Sequence, residues 1–242
     1  MLSSSRWSSA ENSDRIRWAF LSDIHVPRDP SNEYRGFRPF DNMKKAVEDI
    51  VAAKPEGALI TGDLARLEGF PADYAVLKTL VDPLQQSMPL CMSLGNHDDR
   101  DNFLNAFQDH SGVQDVSGKF VQVLEQGPVR FLVLDSLMFT NKVPGLLGKT
   151  QRDWLRTYLR NAEPKPTLVF FHHTLEESDG SLLDVERLFS ILVPVNSIKA
   201  IVYGHSHTYN YQERMGIHLI NLPAVAYNFQ DQDAIGWVEA EL

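Results

Sequence analysis

Most histidines in this sequence stand where a protein could use them for chemistry. Six of the eight directly follow short apolar segments of the kind that form buried strands. Ligands bind at the carboxyl ends of strands in open α/β sheets, so we expect these imidazoles to converge on one cleft. The six are His25, His97, His172, His173, His205 and His207.

Carboxylate and amide side chains accompany the histidines at the same strand ends. Asp23 stands two residues before His25, and the last two of these histidines have the same spacing. In extended backbone, the members of such a pair point to one side. Asp63 and Asn96 follow two further apolar segments. Carboxylate, amide and imidazole ligands without thiolate suit Mn, Fe or Zn, so the pattern predicts a metal site for one of these ions.

Each of these motifs taken alone has an ordinary structural explanation. A Gly-Asp pair after a strand is usually a turn, and residues 95–98 (Gly-Asn-His-Asp) would suit the cap of a helix. Residues 204–207 (Gly-His-Ser-His) would suit a loop with two solvated imidazoles. Coincidence does not explain five such motifs, each after a strand, so a metal site is the preferred interpretation.

The segments between these motifs predict alternating strands and helices. Predicted strands cover residues 16–22, 58–61, 90–94 and 167–171, followed by predicted helices at 41–53, 71–86, 99–107 and 182–192. Two antiparallel hairpins are predicted, one from residues 120–125 with 129–135 and one from 209–214 with 217–221. This alternation indicates an α/β fold with one mixed sheet or two sheets.

Composition indicates an ordinary globular protein. The chain has 242 residues, of which 43% are hydrophobic and 23% are charged. No linker or internal repeat divides it, so we expect a single domain over residues 15–242. Residues 1–14 are Ser-rich and contain no apolar core of a secretory signal, so we expect them to form a flexible tail.

Charge and cysteine content exclude several partners. The net charge is −9 and no block of Lys and Arg is present, so a nucleic-acid polymer is not an expected partner. The apolar stretches are far shorter than the roughly 20 residues that cross a bilayer, so no membrane span is expected. Cys91 is the only cysteine, which excludes an intramolecular disulfide and makes the cytoplasm the expected location.

The ordered motifs resemble those of the calcineurin-like metallophosphoesterases, which run Asp-x-His, Gly-Asp, Gly-Asn-His-Asp/Glu, His, and Gly-His-x-His. All five are present within residues 20–207. A narrower resemblance is to the branch of class III cyclic-nucleotide phosphodiesterases and glycerophosphodiesterases. It is carried by residues 62–65, 95–100, 134–136 and the His172-His173 pair, together with Gly145, Gly148, Gln151, Trp154 and Leu155.

The resemblance implies a fold and a cofactor. The implied fold is a four-layer αββα sandwich, in which two mixed sheets are flanked by helices. The implied cofactor is a pair of divalent or mixed-valence ions, Mn, Fe or Zn, with Asp63 bridging them. One ion would be held by Asp23, His25, Asp63 and His207, and the other by Asp63, Asn96, His172 and His205.

The resemblance also implies a hydrolytic mechanism. A hydroxide bridging the two ions would attack phosphorus in line with the leaving oxygen. His97, which is not a ligand in the family, is expected to protonate or hydrogen-bond that oxygen. Asp98 is expected either to orient His97, as a second catalytic residue, or only to favour the start of the next helix.

Further residues are candidates for supporting the ligands or binding substrate. His173 would support the adjacent ligand, and Arg100 belongs to a branch-like motif. Arg28 and Arg35 lie in the long loop after the first motif, where specificity usually resides, although a solvated surface role is the alternative. Apolar residues at 138–139 and 146–147 could cover the site, contact a partner in a homodimer or pack on the domain's own core.

The expected substrate is a small phosphodiester of the cyclic-nucleotide or glycerophosphodiester type. Two divalent ions, two carboxylates and one hydroxide leave a charge of about +1, which balances the single charge of a diester. The alternatives are a phosphomonoesterase, a nucleotide pyrophosphatase and an inactive binding scaffold. The scaffold is disfavoured because neither a ligand nor His97 is missing from the motifs.

Overall fold

Strands and helices alternate along residues 15–242, the part of the chain that the computed structural model describes. The predicted flexible tail at residues 1–14 lies outside the described residues. The helices are α1 (Pro39–Ala53), α2 (Pro71–Ser87), α3 (Arg100–Ala106), α4 (Gly148–Asn161) and α5 (Val185–Leu192). The strands are β1 (Arg17–Leu21), β2 (Gly57–Ile60), β3 (Leu90–Met92), β4 (Val113–Gln114), β5 (Val121–Gln126), β6 (Val129–Val133), β7 (Thr167–Phe170), β8 (Ile198–Tyr203), β9 (Asn210–Arg214), β10 (Ile217–Asn221) and β11 (Val238–Glu241).

The described strands form two mixed sheets. The first has the order β11-β1-β2-β3, in which β1, β2 and β3 are parallel and β11 is antiparallel to β1. The second has the order β4-β5-β6-β7-β8-β10-β9, in which β6, β7, β8 and β10 are parallel. The two predicted hairpins, β5-β6 and β9-β10, make the second sheet mixed because each adds antiparallel pairs to its parallel centre.

The two sheets face each other across a core of large apolar side chains. On β1, Trp18 and Phe20 belong to this central core, whereas Ala19 and Leu21 belong to the core on the opposite face. This division is the two-residue alternation of a strand that is buried on both faces. The Trp18 ring meets Phe131 of β6 edge-on, with ring centroids 4.8 Å apart. Each aromatic side chain buried here stabilises the contact between the sheets by about 1.5–3 kcal/mol.

Helices cover the outer face of each sheet. Met43 and Ile50 of α1 and Leu77 of α2 lie in the apolar cluster outside the first sheet. Leu155 of α4 and Leu188 of α5 lie in the cluster outside the second sheet. The order of layers is therefore helix, sheet, sheet, helix, and the predicted αββα sandwich is confirmed.

One helix begins later than its apolar pattern predicted. The prediction was a helix from residue 182, but α5 begins at Val185. The preceding backbone pairs instead with a distant loop, since the N–H of Leu183 donates to the carbonyl of Gly145 at 2.9 Å. The Asp184 carboxylate accepts the N–H of Gly148 at 3.0 Å, at the start of α4. Long-range pairing therefore outweighs the local helical pattern at this position.

Three features of the edges and surface complete the fold. The short strands β4 and β11 were not predicted, because neither carries a run of buried apolar residues. Leu147 of the predicted covering loop is fully buried on its own core, whereas Phe139 is 66% exposed. No helix in residues 15–242 is long and apolar enough to cross a membrane.

Candidate metal centre

The candidate ligands lie beyond the carboxyl ends of five strands from both sheets. Asp23 follows β1, Asp63 follows β2 and Asn96 follows β3 in the first sheet. His172 follows β7 and His205 follows β8 in the second sheet. Within each sheet these strands are parallel, so their carboxyl ends share one edge. The structure brings all five ends together at one edge of the sandwich.

One half of the centre is formed by Asp23, His25 and His207, called here the His25/His207 half. Asp23 Oδ1 lies 3.3 Å from His207 Nε2 and 3.9 Å from His25 Nε2. The Nε2 atoms of the two histidines are 3.1 Å apart. All three side chains are buried, so one small ion could contact all of them.

The other half is formed by Asp63, His172 and His205, called here the His172/His205 half. Asp63 Oδ1 lies 3.3 Å from His172 Nε2, and that nitrogen lies 3.2 Å from His205 Nδ1. The ligand atoms of this group also approach one another closely enough to share an ion. His205 would bind through Nδ1, whereas the histidines of the other half would bind through Nε2.

Asp63 lies between the two halves. Its Oδ1 faces His172, while its Oδ2 lies 3.7 Å from Nε2 of His25. Asp23 Oδ1 also lies 3.9 Å from Nε2 of His172. The halves therefore adjoin, and the two oxygens of Asp63 are directed to different halves.

Several of these polar atoms lack a protein partner. Asp23 Oδ1 and Asn96 Oδ1 are buried and accept no hydrogen bond from the described residues. Two histidine pairs also bring ring nitrogens within 3.1 and 3.2 Å of each other. Facing lone pairs repel unless a cation or a proton lies near both, and buried oxygens are rarely left unpaired. The residues present therefore fit two metal ions.

Backbone carbonyls orient the histidines of the His25/His207 half. Nδ1–H of His207 donates to the Tyr227 carbonyl at 2.6 Å, and Nδ1–H of His25 donates to the Arg66 carbonyl at 3.3 Å. These bonds fix the tautomer with the lone pair on Nε2. Such support is typical of metal-binding histidines, since it holds the ring and raises the basicity of the ligating nitrogen.

The backbone at five ligands is left-handed. The φ angles are 52° at Asp23, 41° at His25, 50° at Asp63, 74° at His205 and 61° at His207. The spacing of the paired ligands predicted extended backbone, and that prediction is wrong. Each such residue costs of order 1–3 kcal/mol and persists only where its surroundings hold it, as when the N–H of Asp23 donates to the Gly62 carbonyl at 3.1 Å. Tight turns, rather than strand alternation, aim these side chains.

Two glycines allow the loops of the centre to approach one another. A Cβ on Gly95 would overlap the carboxylate of Asp63. A Cβ on Gly204 would overlap the side chains of Ser22 and Asp23. Both positions therefore require glycine because the carboxylates pass directly over the backbone.

The buried charges shift one another's pKa. Burial opposes ionisation of Asp63, but the imidazoles of His172, His25 and His97 together outweigh it and hold the pKa of Asp63 well below its usual value. Burial lowers the pKa of His25 to about 3. Burial also acts to lower the pKa of His172, but the carboxylates of Asp63 and Asp23 raise it to about 9. Asp63 is therefore ionised at neutral pH, which is the form that binds a cation.

His97 lies at the rim of the centre. Its Nε2 is 4.0 Å from Asp63 Oδ2, and its side chain is 20% exposed. Its Nδ1–H donates to the carbonyl of Leu67 at 2.9 Å. The ring is therefore held at a fixed angle and remains accessible to a small molecule.

Asp98 contacts a loop rather than the His97 ring. Its carboxylate accepts the N–H groups of Leu64 at 3.1 Å and Ala65 at 3.0 Å, and the Tyr74 hydroxyl at 3.0 Å. Burial raises the pKa of Asp98 to about 6. Asp98 was expected to contact the His97 ring, but the ring instead donates its Nδ1–H to the carbonyl of Leu67. The side chain that caps α3 belongs to Asp99.

His173 packs against the His172/His205 half. Its Nδ1 lies 2.7 Å from the hydroxyl of Ser136, and its ring is fully buried. The ring centroids of His173 and His205 are 4.9 Å apart. A Cβ on Gly145 would overlap the His173 ring, so this side of the centre is densely packed.

The three candidate arginines have protein partners. Arg100 pairs with the buried Asp135, at 2.7 and 3.1 Å. Arg28 lies over the Phe70 ring at 5.2 Å. Arg35 donates to the carbonyls of Asn228 and Phe229, at 3.2 and 2.8 Å. Only Arg100 of the three pairs with a carboxylate, whereas Arg28 and Arg35 are exposed and keep their positive charge.

Three residues near the centre were not among the predicted site residues. Tyr227 stacks on His25, Phe229 stacks on His207, and Arg66 lies over Tyr227. Arg66 follows the ligand Asp63 by three residues, a position that could have marked it. The two aromatic residues follow the last hairpin in a segment with no motif, so no sequence signal marked them.

A family model assigns the chain to a class of phosphoesterases. The model of the calcineurin-like phosphoesterase family matches residues 16–209. The chain therefore belongs to the calcineurin-like phosphoesterase family, whose members are metal-dependent hydrolases, and the predicted resemblance is confirmed.

Two relatives agree with this family, and a solved structure shares the fold. The chain is 28% identical over 217 residues to the 3′,5′-cyclic adenosine monophosphate phosphodiesterase CpdA of Pseudomonas aeruginosa, covering 86% of this chain and 76% of the relative. It is 25% identical over 224 residues to the glycerophosphodiester phosphodiesterase GpdQ of Enterobacter lignolyticus, covering 86% and 77%. A dimetal phosphatase from Danio rerio has the same fold, with a TM-score of 0.69, 17% identity and coverage of 87% and 88%.

Proposed function

We propose that this protein hydrolyses small phosphodiesters of the cyclic-nucleotide or glycerophosphodiester type at a dinuclear metal centre. The observation that carries the proposal is the position of Asp63, whose two oxygens are directed to two adjoining clusters of buried ligands. The relatives named as cyclic-nucleotide and glycerophosphodiester phosphodiesterases support this substrate class.

The ligands divide into two sets that share one carboxylate. Asp23, His25 and His207 would hold one ion, and Asn96, His172 and His205 the other, with Asp63 contacting both. Bound divalent ions would supply Lewis-acid activation of water and of the phosphate, and Mn, Fe and Zn all suit this donor set. The unpartnered Oδ1 atoms of Asp23 and Asn96 support direct ligation by these two residues.

His97 is the proposed general acid. Because Leu67 accepts the Nδ1 proton, only Nε2 is available to a substrate. In the protonated ring, Nε2–H would donate to the leaving oxygen and then transfer its proton. Asp98 would act on this step indirectly, by holding the backbone of Leu64 and Ala65 in the same loop as Leu67.

The charge of the protein favours a substrate with little negative charge. The chain carries a net charge of −9, and the candidate Arg100 is paired with the buried Asp135. A phosphodiester carries one negative charge, whereas a monoester carries nearly two at neutral pH. Two divalent ions with two carboxylates and one hydroxide would leave a charge of about +1, so we expect diesters to be preferred. The cytoplasm is the proposed location, because Cys91 is a free and buried thiol.

The test compares bis(p-nitrophenyl) phosphate with p-nitrophenyl phosphate, using enzyme reconstituted with Mn²⁺ and the same enzyme after treatment with a chelator. We expect a higher kcat/KM for the diester, loss of activity on chelation and recovery when metal is restored. A clear preference for the monoester would assign a phosphomonoesterase instead. Activity restricted to nucleotide pyrophosphates would assign a pyrophosphatase, and inactivity with metal bound would indicate a binding scaffold.

A further inference from the structure

A layer of aromatic rings covers the outer side of the His25/His207 half. Tyr227 stacks on His25, with centroids 4.9 Å apart and planes at 26°. Phe229 stacks on His207, at 4.4 Å and 29°. The Tyr34 ring meets Tyr227 edge-on at 4.8 Å. We call Tyr34, Tyr227 and Phe229 the aromatic wall.

The aromatic wall is exposed at its outer rings only. Tyr227 is 4% exposed, whereas Tyr34 is 38% exposed and Phe229 is 43% exposed. The buried ring fixes the two outer rings beside the histidines, and the outer rings keep free surface. A flat, apolar-faced group bound next to the metal centre could therefore stack on them.

Two arginines lie over these same rings. The guanidinium of Arg66 lies 4.6 Å from the Tyr34 ring centre and 5.7 Å from that of Tyr227. No carboxylate among residues 15–242 lies within ion-pair distance of Arg66, so its charge is available to an anion. The guanidinium of Arg35 lies 5.9 Å from the Phe229 ring centre and is bonded to the carbonyl of Phe229.

The proposed function includes two kinds of phosphodiester, cyclic nucleotides and glycerophosphodiesters, and this arrangement of rings and arginines favours one of them. Aromatic rings attract quaternary ammonium groups, such as the head group of glycerophosphocholine. Here arginines already lie over the rings and would repel a second cation. A neutral nucleobase has a flat face for stacking and carries no charge that the arginines would oppose.

We propose that the aromatic wall binds the nucleobase of a nucleoside cyclic phosphate, with Tyr34 and Phe229 stacking on the base and Arg66 excluding cationic head groups. Arg35 is a positioning residue, because its bonds to the Asn228 and Phe229 carbonyls join the loop of Tyr34 to the segment of Phe229. The inference rests on the proposed diesterase function and names its substrate class.

The first test measures kcat/KM of the metal-loaded enzyme for 3′,5′-cyclic AMP and for glycerophosphocholine. In Tyr34→Leu and Phe229→Leu variants, we expect KM for cyclic AMP to rise about 10- to 100-fold with little change in kcat, since stacking contributes binding. Values for glycerophosphocholine should stay unchanged. The matched control is Tyr211→Leu, an exposed tyrosine on β9 that contacts His218 and lies outside the site. Equal losses for both substrates would overturn the inference.

Arg66→Gln tests the charge part of the inference. We expect this variant to gain activity on glycerophosphocholine, because the repulsion of its ammonium group is removed. Unchanged selectivity would overturn the role of Arg66. The backbone carbonyl that orients His25 remains in the variant, so metal content serves as the control for folding.

The second test measures binding instead of turnover. Isothermal titration of cyclic AMP into the His97→Ala enzyme should show an affinity that falls about 10-fold or more when Phe229→Leu is added. Cleavage of bis(p-nitrophenyl) phosphate with no effect of Phe229→Leu on binding would overturn this inference and leave the proposed function standing. Binding that depends on Phe229 in an enzyme that cleaves no phosphodiester would support base binding by the aromatic wall and overturn the proposed diesterase function.

Discussion

The two halves of the candidate metal centre differ in their surroundings. Around the His172/His205 half, His172 and His173 are both fully buried, and Ser136 and Gly145 fill the space behind them. The His25/His207 half is also buried at its ligands, but its outer neighbours are half-exposed aromatic rings and a long loop.

This difference indicates that one half holds the ligand geometry and the other contacts the substrate. The dense packing behind His172 can hold ligand geometry, while His205 of the same half remains partly exposed. The open rim of the His25/His207 half and His97 can contact substrates of different shape. Specificity is therefore expected to change through loop residues such as Tyr34, while the packed half is expected to tolerate few substitutions.

The largest effect is expected where the halves meet. Replacing Asp63 with Ala removes the only side chain in residues 15–242 whose two oxygens are directed to both halves, so turnover should fall to the background rate. Steady-state kinetics on bis(p-nitrophenyl) phosphate with excess Mn²⁺ measures this. Recovery of substantial activity by added metal would show that the halves work without the shared carboxylate.

A smaller effect is expected at His97, at the rim. His97→Ala should keep both ions but lose on the order of 10²-fold in kcat, the usual contribution of a positioned acid. The loss should be smaller for substrates that release p-nitrophenolate, because this leaving group needs little protonation. Equal losses for good and poor leaving groups would argue that His97 binds substrate and transfers no proton.

Behind the packed half, substitution of His173 should affect metal affinity more than chemistry. The His173→Ala variant is expected to keep both ions at saturating metal concentration. Its affinity for metal should fall by about 10-fold, as for other residues that support ligands. His173→Asn is the matched control, since its amide can replace the contact with Ser136. Metal titration of both variants gives the affinities, and loss of both ions from the alanine variant would make His173 a ligand.

The smallest effect on activity is expected outside both halves. Arg100→Met breaks the ion pair with the buried Asp135, which should lower the free energy of unfolding by about 3 kcal/mol. Catalysis should change little, because Arg100 is engaged in the fold. Urea unfolding and kcat/KM measure the two quantities, and a large rise in KM at unchanged stability would place Arg100 in the substrate site.

The sequence predicted the centre far better than its rim. The predicted carboxylate and imidazole ligands lie together, because the strands that they follow end at one edge of the sandwich, whereas ligation by Asn96 stays a prediction. The left-handed turns at Asp23 and His205 were missed, since local patterns do not reveal strain that distant contacts impose. The contact of Tyr34 with Tyr227 was missed for a related reason: it joins two loops far apart in sequence, and neither loop has a periodic pattern.

Metal content is the most direct test of the shared carboxylate. Purified protein is reconstituted with Mn²⁺, dialysed against metal-free buffer and analysed by mass spectrometry. We expect two ions in the wild-type chain, one in His207→Ala, one in His205→Ala and none in Asp63→Ala. Two ions retained by Asp63→Ala would contradict the central claim that this carboxylate joins both halves.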